Sequence, residues 1–147
     1  MTIGLEYVFE AFVSVDEDLE IGSVAGGFRS ITPITGGTFE GPSIKGTIVP
    51  GGADWSMGRE DGVMDICARY TLKTDDGVLI YVVNRGIVHE PAEKGIDSEY
   101  FRTTPTFEVS SPKYDWLNHL LFVCDLKTVT NDEQQFIGVA IKFYKVT

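Results

Sequence analysis

The stretch TIVPGGADWS, residues 47 to 56, sets a carboxylate, Asp54, directly before an indole, Trp55, and behind two glycines. Thr47, Ile48 and Val49 read as a strand that ends at Pro50, and Gly51-Gly52 as a barrel corner whose bend presents Asp54 and Trp55 to a pocket. A carboxylate shielded by an aromatic wall is desolvated, so its pKa rises and it can take or give a proton near neutral pH. The plainer role for such a residue is to cap a turn.

Arginine is the second chemical signal. Arg29, Arg59, Arg69, Arg85 and Arg102 are five of only 12 basic residues, and several adjoin aromatic or glycine motifs, as in GGFR, NRG and YFRT. Two guanidinium groups converging on a pocket would hold a carboxylate or stabilise an enolate. Asp65 and Arg69 share one face of a strand about 13 Å apart, so they would touch different parts of one ligand. A solvated outer face is the alternative for this pair.

Other chemistries lack their residues. His89 and His119 are 30 positions apart with no second ligand at metal spacing, so no metal site is expected. There is no G-x-S-x-G elbow for a serine hydrolase, and the six glycines from Gly36 to Gly52 form neither a dinucleotide fingerprint nor a P-loop. No cofactor is expected. The net charge of −10, from 22 acidic and 12 basic residues, disfavours nucleic acid, whose affinity rests on cationic contacts to phosphate.

The elements that must position these residues are strands. In VMDICARYTLKT, Met64, Ile66, Ala68, Tyr70 and Leu72 alternate with Asp65, Cys67, Arg69, Thr71 and Lys73. Asp76-Gly77 then predicts a tight hairpin spanning about residues 63 to 84, with both turn residues tolerating positive φ. A second hairpin closes the chain, from LLFVCDLKTV through a polar turn to QFIGVAIKFYKV. Between the two, residues 84–103 read as a long loop with at most a short helical turn. SPKYDWLNHLLF could make one or two helical turns, with Ser110 or Ser111 as cap and Pro112 at an early position.

At 147 residues and 43% hydrophobic composition, the chain is expected to be one globular domain over residues 1–147. No apolar run reaches the roughly 18 residues of a membrane span. MTIGLEYVFE has no basic stretch ahead of an apolar one, and it is not read as a secretory signal. Cys67 and Cys124, each inside a predicted strand, read as reduced thiols, which predicts a cytoplasmic protein. Many short strands with little helix predict an all-β, mainly antiparallel sandwich or closed barrel.

In order along the chain, ITGGTFEGP, IKGTIVPGGADW, RYTLKTDDGVLIYV, YFRT and YDWLN resemble the UPF0311 (DUF3237) family of small bacterial and fungal proteins. The resemblance runs from about Leu5 to Val123. It implies a compact, mostly antiparallel β-barrel. The family's recurring polar positions match Arg29, Asp54, Trp55, Arg59, Asp65, Arg69, Tyr100, Arg102, Trp116 and Asn118.

These observations lead to two expectations. In one, the barrel is a cofactor-independent enzyme (isomerase, dehydratase or cyclase) acting on a hydroxylated or carbonyl-bearing apolar molecule. Asp54 moves the proton, Arg69 stabilises developing negative charge, and Trp55 with Tyr100 or Trp116 lines the wall. In the other, the same residues bind a small metabolite without catalysis. A protein-interaction module working through a sheet edge is the third possibility. A small molecule is the expected partner, with a homodimer as the expected assembly.

Overall fold

A computed structural model describes residues 1–90 and 99–147. Nine strands follow in order: β1 Leu5–Val15, β2 Leu19–Val24, β3 Gly27–Glu40, β4 Lys45–Gly58, β5 Met64–Thr74, β6 Leu79–His89, β7 Tyr100–Val109, β8 Phe122–Thr130 and β9 Phe136–Val146. Every pairing is antiparallel. The sheet order is β1-β9-β8-β7-β6-β5-β4-β3-β2, and β1 also pairs with the second half of β3, which closes eight strands into a barrel. The expected all-β barrel is therefore the fold. The remaining strand, β2, continues the line of β1 after a break at residues 16–18 and pairs only with the first half of β3. No helix among the described residues is long and apolar enough to cross a membrane.

One end of the barrel is closed by aromatic packing. Phe9 stacks on Phe143 at 4.2 Å, and Phe39, Phe107 and Phe122 pack edge-on around them. A 3-10 helix, Pro112–Asn118, lies over this end and buries Tyr114 and Leu117. Pro112 follows Ser111 as the sequence suggests, but the Ser111 side chain makes no capping bond. Asn118 fixes the helix instead, accepting from the Val109 N–H at 3.0 Å and donating to the Val109 carbonyl at 2.8 Å.

The β5–β6 hairpin forms as the alternation predicts, with a different turn. Thr74 N–H donates to the Val78 carbonyl and Gly77 N–H to the Thr74 carbonyl, leaving a three-residue loop. Only Gly77 of that loop has positive φ, +88°. This is a type I turn closed by a left-handed glycine rather than the two-residue turn expected. Residues 84–103 also differ from the expected loop: β6 runs on to His89 and β7 starts at Tyr100. Cross-strand pairing from Asn84 with Pro105 to His89 with Tyr100 outweighs the weak strand propensity of the glycine and proline there. The middle of that expected loop lies outside the described residues.

The stretch that sequence reading takes for a strand end is the middle of a 14-residue strand. Val49 lies opposite Thr71 but Ala53 lies opposite Arg69, so β4 carries extra residues against β5 at Pro50–Gly52. This bulge is built from glycine for two reasons. Gly51 has φ +119°, and a Cβ on Gly52 would come within 2.4 Å of the Arg69 carbonyl oxygen.

Candidate functional site

The open half of the barrel encloses a cavity of about 200 Å³. Its walls are mainly apolar, from Val13, Ile34, Ile66, Ala68, Phe101, Leu126 and Ile141, with Met64 and Phe136 at the exposed rim. Alternation on each strand decides which side chains enter. On β5 the lumen receives Ile66, Ala68 and Tyr70, while Asp65 and Arg69 point outward. The carboxylates facing the cavity are Asp18, Asp54 and Glu99, and among the described residues it has no Lys, Arg or His in its lining.

The bulge sets the register that turns Asp54 into this lumen. Thr32, Asp54, Ala68 and Asn84 form one cross-strand row over β3, β4, β5 and β6. Asp54 Oδ1 accepts the Cys67 N–H at 3.0 Å. The β4–β5 ladder lacks the Trp55–Cys67 step, so the side chain takes a donor that the strand partner leaves free. Beside it, Thr32 Oγ1 donates to Asp18 Oδ1 at 2.7 Å, which holds the break between β1 and β2 against the cavity.

Burial pushes the Asp54 carboxyl up to about 6, the Cys67 N–H pulls it back, nearby Asp18 raises it again, and Arg29 lowers it slightly. A carboxyl in that range exchanges protons at neutral pH. At the mouth, Glu99 Oε1 accepts from the Thr128 N–H at 3.1 Å and its hydroxyl at 2.9 Å, so it is tied to the rim.

The other residues singled out from the sequence lie away from the lumen. Arg69 is exposed and donates to the Tyr81 hydroxyl at 3.0 Å on the outer face. Asp65 pairs with Arg59 at 3.2 Å, and Arg59 is held more tightly by Asp61 at 2.6 Å. A charged Asp65–Arg69 strip inside a narrow barrel would lose its hydration, whereas outside it stays solvated. Trp55 is 38% exposed on the outer face, so the Asp54 desolvation comes from the lumen and not from the indole. Arg29 reaches across that same face to the carbonyls of Trp55 at 3.2 Å and Ser56 at 3.5 Å.

Tyr100 stacks on His89 at 5.2 Å, and Arg102 lies 5.5 Å over its ring while pairing with Asp125 at 2.9 Å. All are on the outside of β6, β7 and β8. Trp116 and Asn118 belong to the helix over the closed end. Of the ten positions, Asp54 alone lines the cavity. Asn84, Thr103 and Asp18 are not among the positions singled out from the sequence, and Tyr70 enters there only as part of the β5 alternation. Asn84 had a readable signal, since it follows Ile80 and Val82 at the same parity of β6 and so had to be a buried amide.

Comparison with known proteins bears on this barrel as a whole. The family described as proteins of unknown function, DUF3237, matches residues 3–146. The chain belongs to it. A UPF0311 protein of Clostridium acetobutylicum is 37% identical over 97% of this chain and 93% of its own. A beta-barrel like protein of Acinetobacter baumannii shares the DUF3237 chain's fold with a TM-score of 0.91 at 36% identity, covering 100% of this chain and 98% of that one. The hydroalkoxylation enzyme phnH of Penicillium herquei is 28% identical over 79% of this chain and 69% of its own. A crystal structure of an enzyme from the same fungus has a TM-score of 0.75 at 22% identity, covering 100% and 96% of the two chains, and shows a common fold.

Proposed function

We propose that this DUF3237 barrel is a cofactor-independent enzyme that takes a small, apolar, hydroxylated or carbonyl-bearing molecule into the open half of the lumen. Asp54 moves the proton. The observation that carries this reading is the place of the Asp54 carboxylate, partly buried in the mainly apolar lumen, where burial pushes its pKa up to about 6. The Penicillium relative supports the reaction type, because hydroalkoxylation adds an O–H across a carbon–carbon double bond.

In such a step the π electrons of the alkene take the proton of the Asp54 carboxyl at one carbon, and the hydroxyl oxygen lone pair forms the new C–O bond at the neighbouring carbon. The hydroxyl proton then passes to the Asp54 carboxylate, which restores the acid. Atoms balance, no electrons are exchanged with a partner, and one carboxyl near its pKa can serve both transfers. The cavity is smaller than the roughly 300–1,000 Å³ typical of drug-sized pockets, which favours a compact substrate.

The test is incubation with ortho-allylphenols and analysis for a cyclic ether of unchanged mass. The wild type should form the ether, and Asp54→Asn should be slower by about 10²–10⁴-fold. Equal turnover by both proteins would remove Asp54 from the chemistry. Binding without turnover by the wild type would make the barrel a carrier of such molecules.

A further inference from the structure

Beyond Asp54, three buried side chains of the cavity lining each carry a polar atom with no partner among the described residues: Tyr70 Oη, Asn84 Oδ1 and Thr103 Oγ1. The residues are 3%, 2% and 2% exposed, and all three line the cavity. They descend diagonally over adjacent strands: Tyr70 on β5 pairs with Val82, Asn84 on β6 pairs with Ala68, and Thr103 on β7 pairs with Gly86. Side chains on such diagonals reach each other's neighbourhood. The Asn84 amide lies close enough to the Tyr70 hydroxyl, and the Thr103 hydroxyl and then the Asn84 amide close enough to the Cys124 thiol, to favour the ionised forms, yet none of the three unpartnered atoms reaches hydrogen-bond geometry with a described neighbour.

We propose that Tyr70, Asn84 and Thr103 form a second anchoring subsite, which docks a neutral hydroxyl group of the ligand, such as a phenol. Unpaired buried polar groups are costly, and a barrel keeps three together where something else satisfies them. Their chemistry defines the complement. Asn84 Oδ1 can only accept, so the ligand must bring a donor; the Tyr70 and Thr103 hydroxyls can each donate back to the same oxygen. A hydroxyl satisfies all three. A carboxylate brings no proton to Asn84 and finds no cation in the described lining, where the charged groups are Asp18, Asp54 and Glu99.

The subsite also fixes the ligand's length. Asp54 and Asn84 are two strands apart in one row, about 10 Å along the wall. A molecule with oxygen functions at both ends, one at the triad and one at Asp54, fits that span. This inference rests on the lumen being the ligand site, and it names residues that act in positioning rather than in proton transfer.

The experiment is a fluorescence titration of the full chain with β-naphthol, with naphthalene and β-naphthoate as probes of similar shape. Wild type should bind β-naphthol about 2- to 10-fold more tightly than naphthalene, which lacks the hydroxyl, and should bind β-naphthoate most weakly. Tyr70→Phe and Thr103→Val delete one polar atom each. Each should weaken β-naphthol by about 2- to 10-fold, leave naphthalene unchanged, and leave thermal stability equal or higher, because an unpaired group has gone.

A purely structural triad forecasts the reverse, with lower stability in both variants and unchanged preference for β-naphthol. Either that pattern or the absence of saturable β-naphthol binding to wild type overturns the proposal. The acid–base reading fails separately, through unimpaired turnover in Asp54→Asn while the dependence of binding on Tyr70 and Thr103 persists.

Discussion

Asp54 and Asn84 stand on either side of Ala68 in one cross-strand row of the barrel wall. The methyl group between them is the smallest side chain available with a Cβ, and it leaves the lumen open where two polar groups face the same space. Toward the β5–β6 turn both strands are filled by larger residues, Tyr70 and Leu72 on β5 and Val82 and Ile80 on β6. At this row, one small residue in register with two polar ones leaves the lumen open.

Ala68→Leu should close that gap. Adding methylenes to a filled core costs about 1–3 kcal/mol, but here the new atoms project toward existing empty space, so the cost should fall at or below the lower end. Binding of β-naphthol should weaken by at least about tenfold while the far-ultraviolet spectrum stays that of a β-protein. Full affinity in Ala68→Leu would place the ligand elsewhere.

The raised pKa of Asp54 makes a second forecast. A carboxyl near 6 in the folded chain and near 3.9 in the unfolded chain binds more protons when folded, so it opposes folding above about pH 6 and not below about pH 4. Asp54→Asn removes the ionised form and keeps an oxygen for the Cys67 N–H. It should stabilise the protein by about 1–3 kcal/mol near pH 8, with the gain fading as pH falls from about 6 to about 4. Urea denaturation across that range measures it. A loss of stability at pH 8 would mean that the carboxylate is held by interactions stronger than its desolvation.

What the sequence revealed followed from periodicity. The alternation of Ile66, Ala68, Tyr70 and Leu72 with Asp65, Cys67, Arg69 and Lys73 separates the two faces of β5 correctly, and Arg69 and Tyr70 do lie on opposite sides. Periodicity cannot say which face is the lumen when both carry polar groups. Desolvation decided it, sending the guanidinium outward to Tyr81 and the phenol inward. The bulge at Pro50–Gly52 was hidden for a different reason. Proline and paired glycines mark strand ends as readily as bulges, and only the registers with Thr71 and Arg69 on β5 tell them apart. The Tyr70, Asn84 and Thr103 triad comes from three strands, and no local motif announces such a convergence.

Cys124 and Cys67 differ more than their shared strand location suggests. Cys124 is 1% exposed and burial pushes its thiol up to about 12, whereas Cys67 is half-buried on the outer face of β5. The thiolate is the reactive form, so a native-state thiol titration should label Cys67 slowly and spare Cys124 until denaturant is added. Rapid native labelling of Cys124 would show that the lumen opens far more than the packed core allows.

The closed end supplies a test that should leave the cavity untouched. Asp76 of the β5–β6 turn accepts hydrogen bonds from the Thr74 hydroxyl and from the Tyr114 hydroxyl at 2.8 Å, and pairs with Lys113 at 3.0 Å. Those partners hold its carboxyl well below the usual range, with Thr74 the largest influence, then Lys113 and Tyr114. The turn thereby clamps the 3-10 helix over the aromatic end. Tyr114→Phe deletes one clamp and should cost about 1 kcal/mol near neutral pH. The sign with pH follows from the depressed pKa: the contribution is present above the unfolded value near 3.9 and is lost as pH falls through the folded value. Denaturation of wild type and Tyr114→Phe should therefore differ by the same amount from pH 7 down to about pH 4 and converge only in stronger acid, below the usual carboxylate range, with β-naphthol affinity equal in both. A gap that widens on acidification would mean that the Tyr114 hydroxyl favours the protonated Asp76 carboxyl over the carboxylate, against the clamp described.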